Sequence, residues 1–250
     1  MVFVPLAPGQ HVEDPAHRLH VYPFGPYPML GGVSSTTGSC LIWAHEKICQ
    51  GQEPGRSFEE FVTQALDSEP GTAGLCFLPY LAGERNPYWS DEIRGGFYGL
   101  QLTHDWRALV RAVMEGVAYS LRHLLDLYAE LGVTIQEIAL AGGGSATPGW
   151  PQIIADVCQR DLFMYAGQET VTRVLYALCQ AHLGRAEFEE SLLQTFNVGA
   201  PHDAPDVHPR HELAGQYGEG YRRYRAFARF AAEQAGVTDS VEENCDDREG

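Results

Sequence analysis

The stretch LAGGGSATPGWPQIIADV, residues 140–157, decides how the chain is read. It leaves an apolar run, passes Gly142, Gly143 and Gly144 in succession, and resumes with helical spacing around Pro151. Each glycine weakens a regular element and adds no packing, so three at one corner need a reason. A tight strand-to-helix turn is one. Close approach of another surface, often a nucleotide, to a backbone without Cβ atoms is the other. A Walker-type phosphate loop requires G-x-x-x-x-G-K-[ST], and the chain contains no Gly-Lys pair. A dinucleotide fingerprint fits poorly: Thr147 stands at the third glycine position, and the next strand, LFMYAG, ends without an acid.

Outward from the corner the pattern alternates strand and helix. IQEIALA reads as the strand before it, PGWPQIIADVCQ as a helix with Pro151 in its first turn, and DLFMYAG as the next strand. Upstream, Trp106 to Leu131 carries an apolar stripe from Leu109 to Tyr128 with a small-residue notch at Gly116. Asp105 is its N-cap and Gly132 its stop. GLCFLPYL (74–81) reads as a buried strand feeding a polar loop, and residues 39–48 and 58–67 as shorter helices. Residues 1–30 read as strands or extended loops joined by Pro/Gly turns. Downstream, ETVTRVLYALCQAHLG reads as a helix with Val171, Val174, Leu175, Leu178 and His182 on one face. A last long helix over about 210–235 carries Tyr217, Tyr221, Tyr224, Phe227 and Phe230 as its buried stripe. Residues 237–250 hold six acids against one Arg and read as a disordered acidic tail, leaving 1–236 as one domain. Strand, crossover helix, strand is the signature of an α/β fold with parallel strands.

Composition narrows the function classes. A net charge of −16 argues against a nucleic-acid partner, since phosphate binding needs a basic footprint. No run of 18 apolar residues spans a membrane, and MVFVPLAPGQ lacks the basic and apolar regions of a secretory signal. The six cysteines show no C-x-x-C and no metal spacing, so no metal ligands are assigned. Cys158 and Cys179 fall in apolar helical patterns as buried thiols, and a reducing, cytoplasmic setting fits.

Three stretches, in this order, resemble the carboxy-terminal half of the FGGY carbohydrate kinases. FLPYLAGERNPYWSDEIRGGFYGL (77–100) resembles the family's F-x-P-Y-L-x-G-E-R-x-P…R-G-x-F-x-G-L stretch. LVRAVMEGVAYSLR (109–122) is similar to the helix of its second signature, and the glycine corner to its adenosine motif. The resemblance covers roughly residues 18–200 and implies a ribonuclease-H-like, actin-related fold (an actin-like ATPase domain). It implies ATP and Mg²⁺ as cofactors, and as substrate a pentulose, gluconate or glycerol. By position it implies adenosine contacts at Gly143 and Thr147, with Gly142 and Gly144 shaping the turn, and at Gly38 and Ile42 in SSTTGSCLIW. Ala108 and Val174 depart from the family's pattern, which has a polar residue and a glycine there.

In the resembling family the catalytic Asp, the sugar-binding residues and the phosphate motifs precede the region matched here, so no catalytic residue is assigned. Glu84 and Arg85 have the chemistry of a base and a phosphate clamp, but the resemblance makes GERNP a structured loop near the cleft. Glu115, four residues after Arg111, reads as that arginine's ion-pair partner. The resulting expectation is the nucleotide-binding half of a sugar kinase, inactive without an amino-terminal kinase domain. A face left without that domain would favour a homodimer. A stand-alone, non-catalytic nucleotide- or protein-binding domain is the alternative.

Overall fold

The computed structural model describes residues 2–7, 9–23, 28–49, 55–165 and 204–237, with isolated positions between 176 and 190. Its first strands, β1 (Val2–Pro5), β2 (His20–Tyr22) and β3 (Met29–Gly32), form an antiparallel sheet with β3 in the middle. Helix α1 (Gly38–Ala44) follows and runs on into a wider π turn at His45–Cys49. Helix α2 (Phe58–Ala65) begins at a capping box, in which the Ser57 hydroxyl accepts from the Glu60 N–H while the Glu60 carboxylate accepts from the Ser57 N–H. A short antiparallel pair, β4 (Cys76–Leu78) and β5 (Gly96–Tyr98), brackets the long GERNP loop.

Helix α3 (Trp106–Glu130) is the axis of the molecule. Asp105 caps it through the N–H groups of Arg107 and Ala108, and Gly132 closes it at φ +76°, as expected. Every residue from Val110 to Ser120 is buried, so this segment is enclosed on all sides rather than along one stripe. At Gly116 an added Cβ would stand 2.3 Å from the Phe77 carbonyl oxygen: the notch is where β4 crosses the helix. The enclosure takes in Arg111 and Glu115, paired at 2.8 Å, with the Tyr217 hydroxyl and the Gly71 N–H completing their hydrogen bonds.

Strand β6 (Glu137–Ala141), helix α4 (Trp150–Cys158) and strand β7 (Asp161–Tyr165) form the expected parallel unit, with Glu137 opposite Asp161 and Ala141 opposite Tyr165. Asp156 of α4 is fully buried and accepts from the Arg210 guanidinium at 2.6 and 2.9 Å, which fastens the segment before the last helix.

That helix, α5 (Ala214–Gln234), buries Tyr217, Tyr221, Tyr224, Ala228 and Ala232. Phe230, expected in the stripe, is 55% exposed. Six residues beyond Tyr224, at about 100° per residue, it lies about 120° away around the helix and off the buried line, which alanines continue. The expected helix over 169–184 lies mostly outside the described residues; Tyr176, Cys179, His182 and Leu183 are exposed. Cys179 and His182 are therefore not buried: positions 176, 179 and 183 share one helical face, and that face is outward. The expected acidic tail lies outside the described residues from 238 onward.

Candidate functional site

The corner lies at the carboxyl end of β6, where ligands of open α/β sheets gather. Gly142 makes the turn at φ +84°, a conformation that costs a side chain strain. Its carbonyl accepts from both the N–H and the hydroxyl of Ser145, closing a 3₁₀ turn over Gly143–Ala146. The Thr147 hydroxyl donates to the Gly143 carbonyl at 3.0 Å. Gly149, at φ +67°, then starts α4, and Trp150 anchors it by donating from Nε1 to the Met114 carbonyl at 3.1 Å. The corner is a fixed backbone shape.

Only part of its glycine content is explained by that shape. Gly143 has an ordinary φ, and a Cβ there would meet nothing within 4 Å among the described residues. Gly144 would meet the Trp150 ring at 3.8 Å, an ordinary contact. Gly38, a hundred residues earlier, has the same two properties as Gly143: ordinary φ and empty space. Among the described residues nothing in conformation or packing requires either glycine.

Both face one cavity of about 1180 Å³. Gly38, Ile42, Gly143, Gly144 and Thr147 all line it; Gly142 does not, and its part is the turn. Ile42 is 54% exposed, an apolar side chain offered at the cavity. Among the described residues the lining carries no Lys or Arg, and Glu137 is its one carboxylate. The glycines leave room for a flat ring, and Ile42 offers an apolar surface for its face. To a triphosphate and Mg²⁺ the described lining offers neither cations nor a group of carboxylates.

The residues that hold the Gly38 side in place escape inspection of the sequence. Glu84 is buried, and its Oε1 accepts from the Ser35 N–H at 2.6 Å and the Arg85 N–H at 2.8 Å, while Oε2 accepts from the Ser34 hydroxyl at 2.8 Å. Asn86 does likewise for Val33, accepting its N–H at 2.6 Å and donating to the Arg18 carbonyl. The GERNP loop thus clamps the backbone that leads from β3 into α1. Burial pushes the Glu84 carboxyl up to about 7, against the pull of the hydrogen bonds from Ser35 and Ser34. Three of its hydrogen bonds are spent on Ser34, Ser35 and Arg85, so it serves as a clamp between the two segments. Burial also pushes the Cys40 thiol up to about 11 and the Cys76 and Cys158 thiols up to about 12, which leaves none of the three as a nucleophile.

The sequence profile of the FGGY family of carbohydrate kinases, C-terminal domain, matches residues 7–173. The chain belongs to that family. A xylulose kinase from Staphylococcus epidermidis is 32% identical over 165 residues, which is 66% of this chain and 32% of that protein. The ligand-bound xylulose kinase of Lactobacillus acidophilus superposes with a TM-score of 0.72 at 26% identity, covering 90% of this chain and 44% of that one. The gluconate kinase of the same organism gives a TM-score of 0.77 at 24% identity, over 94% of this chain and 46% of that one. The fold is therefore the ribonuclease-H-like, actin-related α/β fold, and the chain carries a sugar-kinase C-terminal domain. It spans about a third of the length of this sequence relative and under half of these solved ones. Among the described residues no helix is long and apolar enough to cross a membrane.

Proposed function

We propose that residues 1–236 are the nucleotide-binding half of an ATP-dependent sugar kinase of the xylulose kinase type. In this reading the adenosine of ATP lies between the glycine corner and the start of α1, against Gly38, Ile42, Gly143, Gly144 and Thr147. The observation that carries it is the pair Gly38 and Gly143: two glycines distant in sequence, unused by the fold, on one cavity. The phosphates, Mg²⁺ and the sugar are handled by a second, amino-terminal kinase domain, a reading supported by the lack of a cation and of a carboxylate cluster among the described lining residues. The sugar is a pentulose, gluconate or glycerol, with xylulose first because several of the sequence relatives are xylulose kinases. Free, buried thiols suit a reducing, cytoplasmic setting.

The chain alone is expected to bind adenosine and ADP with affinities within a few-fold of each other, as read by titration calorimetry. It should release no ADP from ATP in a coupled assay with xylulose, gluconate or glycerol. Turnover by the chain alone would overturn the division of labour, and failure to bind adenosine would overturn the nucleotide site. The lack of Lys and Arg among the described lining residues favours one other reading, a non-catalytic nucleoside-binding domain. Adding the separately produced amino-terminal half of a xylulose kinase separates the two: restored turnover supports the half-kinase, and binding without turnover the alternative.

A further inference from the structure

The GERNP loop carries a cation that the fold does not use. Residues 85–89 form its tip: Glu84 and Ser90 pair by backbone hydrogen bonds beneath it, and the Trp89 N–H donates to the Arg85 carbonyl across it. Three side chains anchor this tip from inside. Glu84 and Asn86 hold the backbone of Val33, Ser35 and the Ser34 hydroxyl, while Tyr88 is buried against the Tyr80 and His123 rings. The two ends of the tip, Arg85 and Trp89, are its exposed residues.

Packing accounts for neither. The chain holds 33 acids against 17 bases, yet the Arg85 guanidinium has no hydrogen bond, ion pair or ring contact among the described residues. Asp91 and Glu92, exposed and close in sequence, do not pair with it. Trp89 is 48% exposed, the one exposed residue of the four tryptophans. Its backbone stands at φ +48°, in the left-handed region, where a bulky side chain is an outlier and function is a common reason for one. The indole stacks on His20 of β2 with ring centroids 4.8 Å apart, which fixes its orientation. A guanidinium without a partner and a half-open indole, both set on an anchored loop, offer only hydrogen-bond donors and an apolar ring face. Such a pair recognises an oxyanion attached to a body that can lie on the ring.

We propose that Arg85, Trp89 and His20 form a binding site for an anionic sugar, with the guanidinium on its phosphate or carboxylate, the polyol against the indole, and His20 backing the ring. None of the three lines the nucleotide cavity, so the site is separate from it. That the body is a sugar rests on the sugar-kinase reading above; the demand for an anion rests on Arg85 alone. Two sources share this chemistry: a sugar phosphate, as the kinase reaction would produce, and a sugar acid.

Titration calorimetry on the 250-residue chain, with xylulose 5-phosphate, gluconate, xylulose and inorganic phosphate as probes, tests the proposal. One anionic sugar or both should bind at least tenfold more tightly than xylulose and than inorganic phosphate, and should change the fluorescence of Trp89. The tighter of the two names the source. Arg85→Gln should weaken that binding tenfold or more and Arg85→Lys should keep part of it, with urea melts and adenosine affinity unchanged in both. Trp89→Gly should weaken the same binding without loss of stability, since glycine suits φ +48°. Inorganic phosphate bound as tightly as the anionic sugars would show attraction to a bare charge and overturn the proposal. Full affinity in Arg85→Gln or in Trp89→Gly would overturn it too. Adenosine reports the cavity separately, so adenosine bound by a chain that binds neither anionic sugar sinks this site and leaves the nucleotide site standing.

Discussion

Gly116 and Gly143 are both glycines with ordinary φ, and the molecule treats them in opposite ways. At the crossing of α3 and β4 a Cβ would collide with the Phe77 carbonyl oxygen at 2.3 Å, while at the β6–α4 corner a Cβ would meet nothing. The first region is closed, with α3 enclosed from Val110 to Ser120 and even its Arg111–Glu115 pair buried. The second is open, with glycines, Ile42 and the strands β1 and β6 around one cavity. A glycine that the fold uses reports packing. Gly143, unused by the described fold and facing the cavity, leaves room for something that arrives from outside it.

The largest expected effect falls on the closed side. Gly116→Val should destabilise the domain by about 3 kcal/mol or more, since the obstacle is backbone and cannot rotate away. A urea midpoint equal to wild type would break the comparison at its root. Glu84 stands next, as the clamp between the two regions. Its carboxyl is raised from 4.5 to about 7 in the folded chain, so between those pH values the folded state holds more protons than the unfolded one. Stability from this group is greatest below about pH 4.5 and falls as pH rises to about 7, by roughly 3 kcal/mol at about 1.4 kcal/mol per pH unit. Glu84→Gln keeps an oxygen for the Ser35 and Arg85 N–H groups and removes the titration. Urea melts from pH 4.5 to 8 should show the variant gaining on wild type as pH rises. Parallel curves would mean that Glu84 does not titrate in that window.

Much of this was legible in the sequence where a periodicity or a cap spans a few residues. Asp105, Gly132, the apolar run at 76–78 and the strand–corner–helix unit at 137–158 all stand where their patterns put them. The patterns failed where the outcome depends on what lies opposite. A stripe on α3 says that one face is buried, and it cannot say that β4, α4 and α5 close the others. Aromatic content suggested Phe230 for the core, but geometry turned it outward and small alanines fitted instead. The link between Ser34, Ser35 and Glu84 joins segments about fifty residues apart and leaves only the bare letters GER as a trace. The candidate site was legible as glycines in two stretches. That they share a cavity follows from the packing of α1 and β6 about α3, which no local pattern contains.

The smallest expected effect on stability is also the most direct test of the central claim, that Gly143 is kept free of a side chain for a nucleoside. Gly132 is the contrast: a Cβ there also meets open space, but φ is +76°. Gly132→Val should lower the unfolding free energy read from urea melts by about 1 kcal/mol or more through backbone strain and leave adenosine affinity unchanged. Gly143→Val should leave the urea melt close to wild type and weaken adenosine and ADP binding at least tenfold, about 1.4 kcal/mol, in titration calorimetry. Wild-type adenosine affinity in a folded Gly143→Val protein would contradict the account, and the three glycines would then make only a turn.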